Sequence, residues 1–446
     1  MRKILVLGAG RSSSSLIRYL IGNASAQDWR IAVADLDVAQ AASAIGDGSA
    51  VAEAVALDAG DPRSRRALIG AHDLVISMLP ATMHPDVVRD CLSERRHAIT
   101  PSYVSDALRA MDPAIREAGL IMLNELGLDP GIDHMSAMRI LDRVRGDGGE
   151  MIAFESHTGG LVAPESDTNA WGYKFSWNPR NVVLAGQGGA AKYIRDGRVK
   201  YVPYHRLFSS AGRVEVPGYG AFDAYANRDS LKYREVYGLE GIPTLLRGTL
   251  RRRGFCAAWD VFVRLGCTDD GYPMELPATA TWPEYLAAFL SEHGPGSVRE
   301  GLVQQLGIEP DGPIMMKLEE LGLFGKDAIG VAGLSPAATL QHLLEQRWKL
   351  MPGDRDMVVM WHHFRYRMNG REHGLQASLV VEGQDAVDTA MARTVGLPVA
   401  MAAKLVLNGA ISDRGVLLPL SPAIRDPILD ELEGYGIVFQ EIGETR

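Results

Sequence analysis

The residues with the densest chemical promise lie within the first thirty-five. A short apolar run, Ile4-Leu5-Val6-Leu7, opens into Gly8-Ala9-Gly10-Arg11-Ser12-Ser13, and a second run, Ile31-Ala32-Val33-Ala34, ends on Asp35. Glycine at 8 allows a tight turn and glycine at 10 lets the backbone approach a pyrophosphate. The first-turn amides of a following helix, where Arg11, Ser12 and Ser13 stand, supply donors and the positive end of a dipole. The pattern reads as an anion cradle in a βαβ unit for a dinucleotide. Ser13 replaces the usual third glycine, but it is small enough for close helix–strand packing, and the run Ser12 to Ser15 offers further hydroxyls to phosphate. The alternative, an ordinary βα turn capped by serines, leaves the second strand and its acid unexplained. A carboxylate at 35 accepts from adenosine ribose hydroxyls and repels a 2′-phosphate, so NAD is expected ahead of NADP. Asp37 is the rival for that role.

The elements that must hold this cradle follow in a βα rhythm. Ala54-Val55-Ala56-Leu57 ends at Asp58, an adenine-side position, and Asp73 to Ser77 reads as a buried parallel strand followed by Met78-Leu79-Pro80. Ligands lie off the carboxyl ends of the strands in open α/β sheets, so Ser77, Leu79 and Pro80 should border the nicotinamide half. His97 to Thr100 and Leu120 to Leu123 supply two more strands, leading into Pro101-Ser102-Tyr103 and Asn124-Glu125.

Beyond Gly131 the pattern changes. A helix over roughly Asp133 to Arg145 stops at a glycine-rich turn. Segments near Ile152–Ser156, Ala221–Tyr225, Met357–Met368 and Ala377–Glu382 then read as a mostly antiparallel sheet, with a helical insert at about 282–350. Ala386 to Val406 is helical in pattern, and Leu417 to Pro422 reads as a proline-bounded loop. The expectation is an α/β fold: a Rossmann-type NAD(P)-binding domain over 1–130, onto which about 395–446 packs back, and an α/β substrate and dimerisation domain over 131–394.

A length of 446 residues exceeds what one core usually encloses. A net charge of −9 argues against a nucleic-acid footprint, which needs clustered Lys and Arg. Three cysteines, Cys91, Cys256 and Cys267, match no zinc spacing and read as reduced thiols of a cytoplasmic protein. No uninterrupted apolar stretch of membrane-spanning length is evident, so no membrane partner is expected. His362 and His363, adjacent in a strand, point to opposite faces and do not chelate one metal together, and no metal site is expected.

Several polar, glycine-rich blocks remain. They are Thr100-Pro-Ser-Tyr-Val-Ser105, Asn124-Glu-Leu-Gly-Leu-Asp-Pro-Gly-Ile-Asp-His134, Ser156-His-Thr-Gly-Gly160 with Ala163-Pro-Glu-Ser166, Gly172-Tyr-Lys-Phe-Ser-Trp177, Ala226-Asn-Arg-Asp-Ser230 and Arg247-Gly-Thr-Leu-Arg251. With Thr394 to Val399 and Leu420 to Ile428, in this order, they resemble saccharopine dehydrogenase of the L-glutamate-forming type over essentially the whole chain.

The resemblance implies a nicotinamide-dependent oxidation of the secondary amine of saccharopine. The imine then hydrolyses to glutamate and 2-aminoadipate 6-semialdehyde. It also implies that Arg228, Thr249 and Arg251 hold the small-molecule substrate, with Ser102 and Tyr103 at the crevice floor. Asp129 and Pro130 fall on the nicotinamide side, with Asp129 and Tyr103 the first side chains to consider for proton transfer, and Ser176 and Lys174 reach the cofactor. Each reading has a plainer rival: a salt bridge from Arg228 to Asp229 or Asp223, a solvated basic turn at Arg251, an Asx turn at Asp129, and an aromatic core strand around Ser176. His157 is either a proton-transfer group or a packed strand histidine. Thr158 stands where relatives commonly carry a cysteine, which excludes an essential thiol there. A dehydrogenase for another carboxylated amine, of the carboxynorspermidine type, and a non-catalytic NAD sensor are the competing functions. The exposed edge of the second domain's sheet suits a homodimer.

Overall fold

The apolar runs separated by helix-period segments form a parallel sheet because each run is buried on both faces. The structure is a computed structural model describing residues 1–291 and 297–445. It divides into two compact units, Met1–Gly149 with Leu379–Phe439, and Glu150–Ser378 with Gln440–Arg446.

In the first unit the strands are β1 (Arg2–Leu7), β2 (Trp29–Asp35), β3 (Ala52–Ala56), β4 (Leu74–Ser77), β5 (His97–Ile99), β6 (Ile121–Leu123) and β15 (Gly415–Leu417). They run in the order β15-β6-β5-β4-β1-β2-β3 with parallel pairing throughout. The order reverses between β1 and β4, which is where a doubly wound sheet opens its ligand crevice. Leu5, Leu7, Ala32, Val75 and Ala98 form part of the core under it.

Three sequence expectations change here. The helix Ile132–Gly146, expected in the second domain, belongs to the first unit. Ten of its side chains are buried, and Arg139 pairs with Asp426 at 3.1 Å and Asp430 at 2.7 Å on the helix Pro422–Glu433. The division between units therefore falls at 149/150 rather than 130/131. Leu417, expected in a loop, ends β15, because Gly415 to Leu417 pair in register with Ile121 to Leu123. A three-residue strand carries too short a pattern to be read locally. The apolar helix Ala390–Leu407, long enough to span a bilayer by length and composition, is a largely buried core helix of this unit. It packs so tightly on the helix Ser14–Gln27 that a Cβ at Gly396 would come within 2.9 Å of the Leu16 amide nitrogen.

The second unit carries β7 (Glu150–Val162), β8 (Ala191–Arg195), β9 (Arg198–Val202), β10 (Gly212–Val216), β11 (Gly220–Ala226), β12 (Thr244–Arg252), β13 (Asp356–Met368), β14 (Arg371–Glu382) and β16 (Gln440–Thr445). The main path is β10-β11-β12-β7-β13-β14-β16, with the β8–β9 hairpin attached to β12. Pairing is antiparallel except between β12 and β7, which run parallel, so the sheet is mixed. The helices Trp282–Ala287, Val298–Leu306, Pro313–Glu320 and Pro336–Arg347 occupy the expected insert, whose residues 292–296 lie outside the described ones. The core is aromatic. Trp171 stacks on Phe262 with centroids 5.9 Å apart, and Phe255 on Trp259 at 5.6 Å. Such pairs add roughly 0.5–1.5 kcal/mol each beyond their burial.

Candidate active site

At the carboxyl end of β1, Gly8 adopts φ +97°, a conformation that side-chain-bearing residues rarely take, and a Cβ there would press against the Met78 carbonyl at 3.3 Å. Gly10 has no neighbour within 4 Å of a built Cβ, so its approach is open. A glycine turn left open at Gly10 and leading into a 14-residue helix fits a dinucleotide pyrophosphate. Arg11 is exposed and Ser12 half-buried at the same turn.

The other serines are committed elsewhere. Ser13 Oγ donates to the Gly8 carbonyl at 3.1 Å, Ser14 Oγ to the Val387 carbonyl at 2.8 Å, and Ser15 Oγ to Asp388 Oδ1 at 2.9 Å. Ser13 thus closes the turn from beneath instead of presenting its hydroxyl to phosphate. Asp35 also acts locally, since Oδ2 accepts from the Ala9 amide at 2.7 Å and Oδ1 from the Asp37 amide at 3.0 Å, tying β2 to the glycine turn. Its rival Asp37 caps the next helix through the Ala39 amide. Asp58, exposed at the end of the β3 segment, accepts from the Gly60 amide at 2.8 Å.

Across the switch point, Leu79 is half-buried and Pro80 exposed. Ser77 is buried, and its hydroxyl lies 3.0 Å from His84 Nδ1. His84 Nε2 in turn lies 2.8 Å from Ser102 Oγ and 3.0 Å from Thr100 Oγ1. Tyr103 donates its hydroxyl to Asp129 Oδ1 at 2.8 Å, so the two residues expected near proton transfer are direct partners. The Asp129–Pro130 peptide is cis and Gly131 has φ 147°, which turns the chain into the helix Ile132–Gly146. The loop between Ser102 and Val104 is held from below by Glu125. Its amide donates to the Ser102 carbonyl at 3.1 Å, its Oε1 accepts from the Val104 amide at 3.1 Å, and its Oε2 lies 2.8 Å from His134 Nε2. His84, Glu125 and His134 are not among the expected site residues. Glu125 and His134 close the two ends of the Asn124–His134 block, whereas nothing local marks His84, whose partners include hydroxyls after β5.

In the second unit the strand register builds a polar face. Arg247, Thr249 and Arg251 alternate along β12 and share one face. On neighbouring strands Thr249 pairs with Tyr225 and with Thr158, and Arg247 with Ser156. Arg251 is 3% exposed and lies over the Tyr173 ring at 5.3 Å and the Phe255 ring at 5.4 Å. Its guanidinium meets the Tyr225 hydroxyl and, at 3.3 Å, the Leu250 carbonyl, while Nε has no hydrogen-bond partner. Among the described residues no carboxylate pairs with it. The facing Asp223 is taken by Arg253 at 2.6 Å and by the Gly254 and Cys256 amides. Thr158 Oγ1 is likewise buried without a partner on this face. A buried cation without an acid is costly, and aromatic rings offset only part of that cost. The solvated-turn reading of Arg251 therefore fails, and a carboxylate ligand would complete the site. Arg247, 5% exposed and stacked on Tyr233 at 4.2 Å, belongs to the same face. Its two-residue spacing from Thr249 is the signal that could have found it.

The other singled-out residues each have a defined setting. Lys174 is paired with Asp354 at 2.7 Å, which fixes its ammonium within the second unit. Ser176 is 3% exposed on an aromatic segment. Arg228 is exposed at φ +50°, next to Asp229, which takes Lys192 at 3.1 Å. His157 is packed on the opposite face, its ring against Gly248, and burial pushes its pKa down to about 3. It is neutral in the folded protein. The three cysteines are buried free thiols, and burial pushes each pKa up. Among the described residues no cluster of three metal-ligating side chains occurs.

Residues 4–123 match the family model described as saccharopine dehydrogenase NADP binding domain, and residues 127–437 match the saccharopine dehydrogenase C-terminal domain. The chain is 36% identical to the Saccharomyces cerevisiae protein named saccharopine dehydrogenase [NADP(+), L-glutamate-forming], across 99% of both chains. It is 35% identical to the mitochondrial alpha-aminoadipic semialdehyde synthase of Bos taurus, covering 98% of this chain and 47% of that protein. Among solved structures, apo saccharopine dehydrogenase (L-Glu forming) from Saccharomyces cerevisiae superimposes with a TM-score of 0.89 at 35% identity over the whole of both chains.

Proposed function

The chain belongs to the saccharopine dehydrogenase family, and from that premise we propose that it oxidises the C–N bond of saccharopine in lysine metabolism. The carbon beside the secondary amine loses a hydride and the nitrogen a proton. Water adds to the resulting imine, and C–N cleavage gives L-glutamate and 2-aminoadipate 6-semialdehyde. The reverse is a reductive condensation. When bound, the nicotinamide accepts or returns that hydride.

Gly8, Gly10 and the first turn after Ser13 would hold the pyrophosphate, and Leu79 and Pro80 would border the nicotinamide. The observation that carries the substrate reading is Arg251, buried and aimed at no carboxylate of its own, in a substrate class with three carboxylates. Thr158, Thr249 and Tyr225 would hydrogen-bond the same substrate end. Arg228, exposed at the end of β11, would take a second carboxylate. Within the first unit, Ser102 and Tyr103 would serve proton transfer from the amine, with Asp129 accepting the proton that Tyr103 passes on. Absorbance of the reduced nicotinamide, followed with saccharopine and with a polyamine-linked carboxylated amine, tests this reading. Turnover with saccharopine and glutamate release are expected, whereas turnover with only the polyamine conjugate would sink it.

The family model of residues 4–123 and the Saccharomyces cerevisiae relative carry NADP in their names. For this chain we propose a preference for NAD, because Asp35 places a carboxylate where a 2′-phosphate would sit. Asp35→Ser should shift the NAD:NADP ratio of kcat/KM by about tenfold toward NADP, the scale of one charged hydrogen bond. Since Asp35 also ties down the Ala9 amide, melting curves of the variant accompany the ratio, which an intact fold with an unchanged preference would refute.

We also propose a homodimer formed through the outer strand of the second unit's sheet. There β16 ends the strand order and leaves Ile442 45% exposed. Sedimentation showing only monomer would count against it. Buried reduced thiols suit a cytoplasmic location, which fractionation of the native source tests.

A further inference from the structure

The loop that carries Ser102 and Tyr103 is held by a histidine that the proposed reaction does not use. His84 opens the helix His84–Ser93 just after β4, and it is 2% exposed. Its ring spans three hydroxyls: Nδ1 is 3.0 Å from Ser77 Oγ, and Nε2 is 2.8 Å from Ser102 Oγ and 3.0 Å from Thr100 Oγ1. These come from the ends of β4 and β5 and from the loop after β5, so one ring joins the strand end beside the switch point to the loop. The pocket around it is lined by Val87, Val88, Ile99, Met122 and Asn124 besides the hydroxyls, and no charged side chain lines it.

We propose that His84 is a positioning residue for the reaction, a neutral strut that fixes Ser102, and through the adjacent backbone Tyr103 and its partner Asp129, relative to the end of β4. A neutral imidazole has one donor nitrogen and one acceptor nitrogen, and hydroxyls play either role, so Nδ1 is met by Ser77 and the single position on Nε2 is shared by Ser102 and Thr100, with no charge on the ring. Burial with no acid nearby keeps the ring neutral, lowering its pKa to about 4. Glu125 holds the loop backbone at the Ser102 carbonyl and the Val104 amide, Asp129 holds the Tyr103 hydroxyl, and His84 anchors the Ser102 side chain. Loss of that anchor displaces Ser102 and Tyr103 while leaving the glycine turn, at the end of β1, intact.

The inference rests on the saccharopine reading, and the test separates the two. The full-length His84→Leu variant should lower kcat with saccharopine by about 100-fold, the size associated with small misplacement of reacting groups. Its dinucleotide Kd should stay within about twofold of wild type, reflecting the untouched cradle. His84→Gln, whose amide reaches Ser102 and Thr100, should recover most of the loss, and His84→Asn, which reaches only Ser77, should not. In a double-mutant cycle with Ser102→Ala, His84→Leu should cost little further activity, because groups acting through one contact are not additive. Multiplying losses, or Gln and Asn variants of equal activity, would overturn the proposal. Comparing Gln with Asn decides the matter if the Leu variant does not fold. A wild-type enzyme silent with saccharopine rejects the substrate reading instead. In that event the ring nitrogen resonances of selectively labelled His84 still decide: Ser102→Ala should move Nε2 and leave Nδ1 in place, and an unmoved Nε2 overturns the strut.

Discussion

The two units place their chemistry in different parts of a sheet. In the first, the working residues stand at strand ends: Gly8 after β1, Asp35 closing β2, Ser77 closing β4, Ser102 and Tyr103 after β5. In the second, Thr158, Thr249 and Arg251 lie within strands, on a face assembled by the register of neighbouring strands. A parallel sheet buried on both sides has only its ends free for a ligand, whereas a mixed sheet can spare part of one face. The first arrangement suits an extended dinucleotide crossing strand ends, and the second a compact polyanion seated on a buried cation.

The largest effect should come from the second unit. Arg251→Leu should reduce kcat/KM for saccharopine by about 100-fold or more, since charged hydrogen bonds to a carboxylate are lost. The same change should leave the unliganded protein as stable or more so, because a buried cation without an acid is replaced by an apolar side chain. Unfolding curves and dinucleotide titrations check both halves. A matching loss of dinucleotide affinity would erase the separation between the two sites.

Acid should act on both units, through His84 in the first and His157 in the second. Their folded pKa values, about 4 and about 3, lie below that of a free histidine. Above about pH 6.5 the ring is neutral folded or unfolded, and the full stability is present. As the pH falls, the unfolded chain binds a proton that the folded one refuses, so stability declines by about 1.4 kcal/mol per pH unit for each ring until the folded pKa is reached. Between about pH 6.5 and 5.5 few carboxylates titrate, which isolates the histidine contribution. His72 and His97, also depressed by burial, add to the first unit's sensitivity. Denaturant midpoints over that window should drop more steeply in wild type than in His157→Asn, and parallel slopes would contradict the burial argument.

A smaller pair of changes sharpens the first unit alone. Gly8→Ala should cost about 1–2 kcal/mol in stability, the strain of holding a side chain at φ +97°. Gly10→Ala, with open space around the added carbon, should leave the melting temperature unchanged but weaken dinucleotide binding. Calorimetry of both variants distinguishes strain from ligand contact. The smallest effect belongs to Thr158→Val, which removes an unpartnered buried hydroxyl and should stabilise the free protein by up to about 1 kcal/mol while raising KM for saccharopine. A destabilised variant would mean that the hydroxyl has a partner in the free enzyme.

The cradle is legible in the sequence because each of its parts is local. Gly8 and Gly10 are defined by backbone freedom, and a strand, a turn and a helix follow one another within about thirty residues. The Tyr103–Asp129 bond is within reach because resemblance names both residues, although no spacing joins them. The second unit's face is only partly legible. Arg251 stands out in its block while Arg247 does not, though alternate positions on one strand point the same way. Lys174 reads as a cofactor contact in sequence because its actual partner, Asp354, is 180 residues away.

By itself the sequence determined the order of elements, the dinucleotide turn and the family, because these depend on residue type and near neighbours. The tertiary structure decided which hydroxyls are committed to the fold, as at Ser13, Ser15 and Ser77, and which cation keeps no acid, as at Arg251. It also placed β15 beside β6 and His84 beneath Ser102. Those outcomes depend on long-range pairing and burial, where the cost of an unpaired polar group is set by what the rest of the chain brings to it.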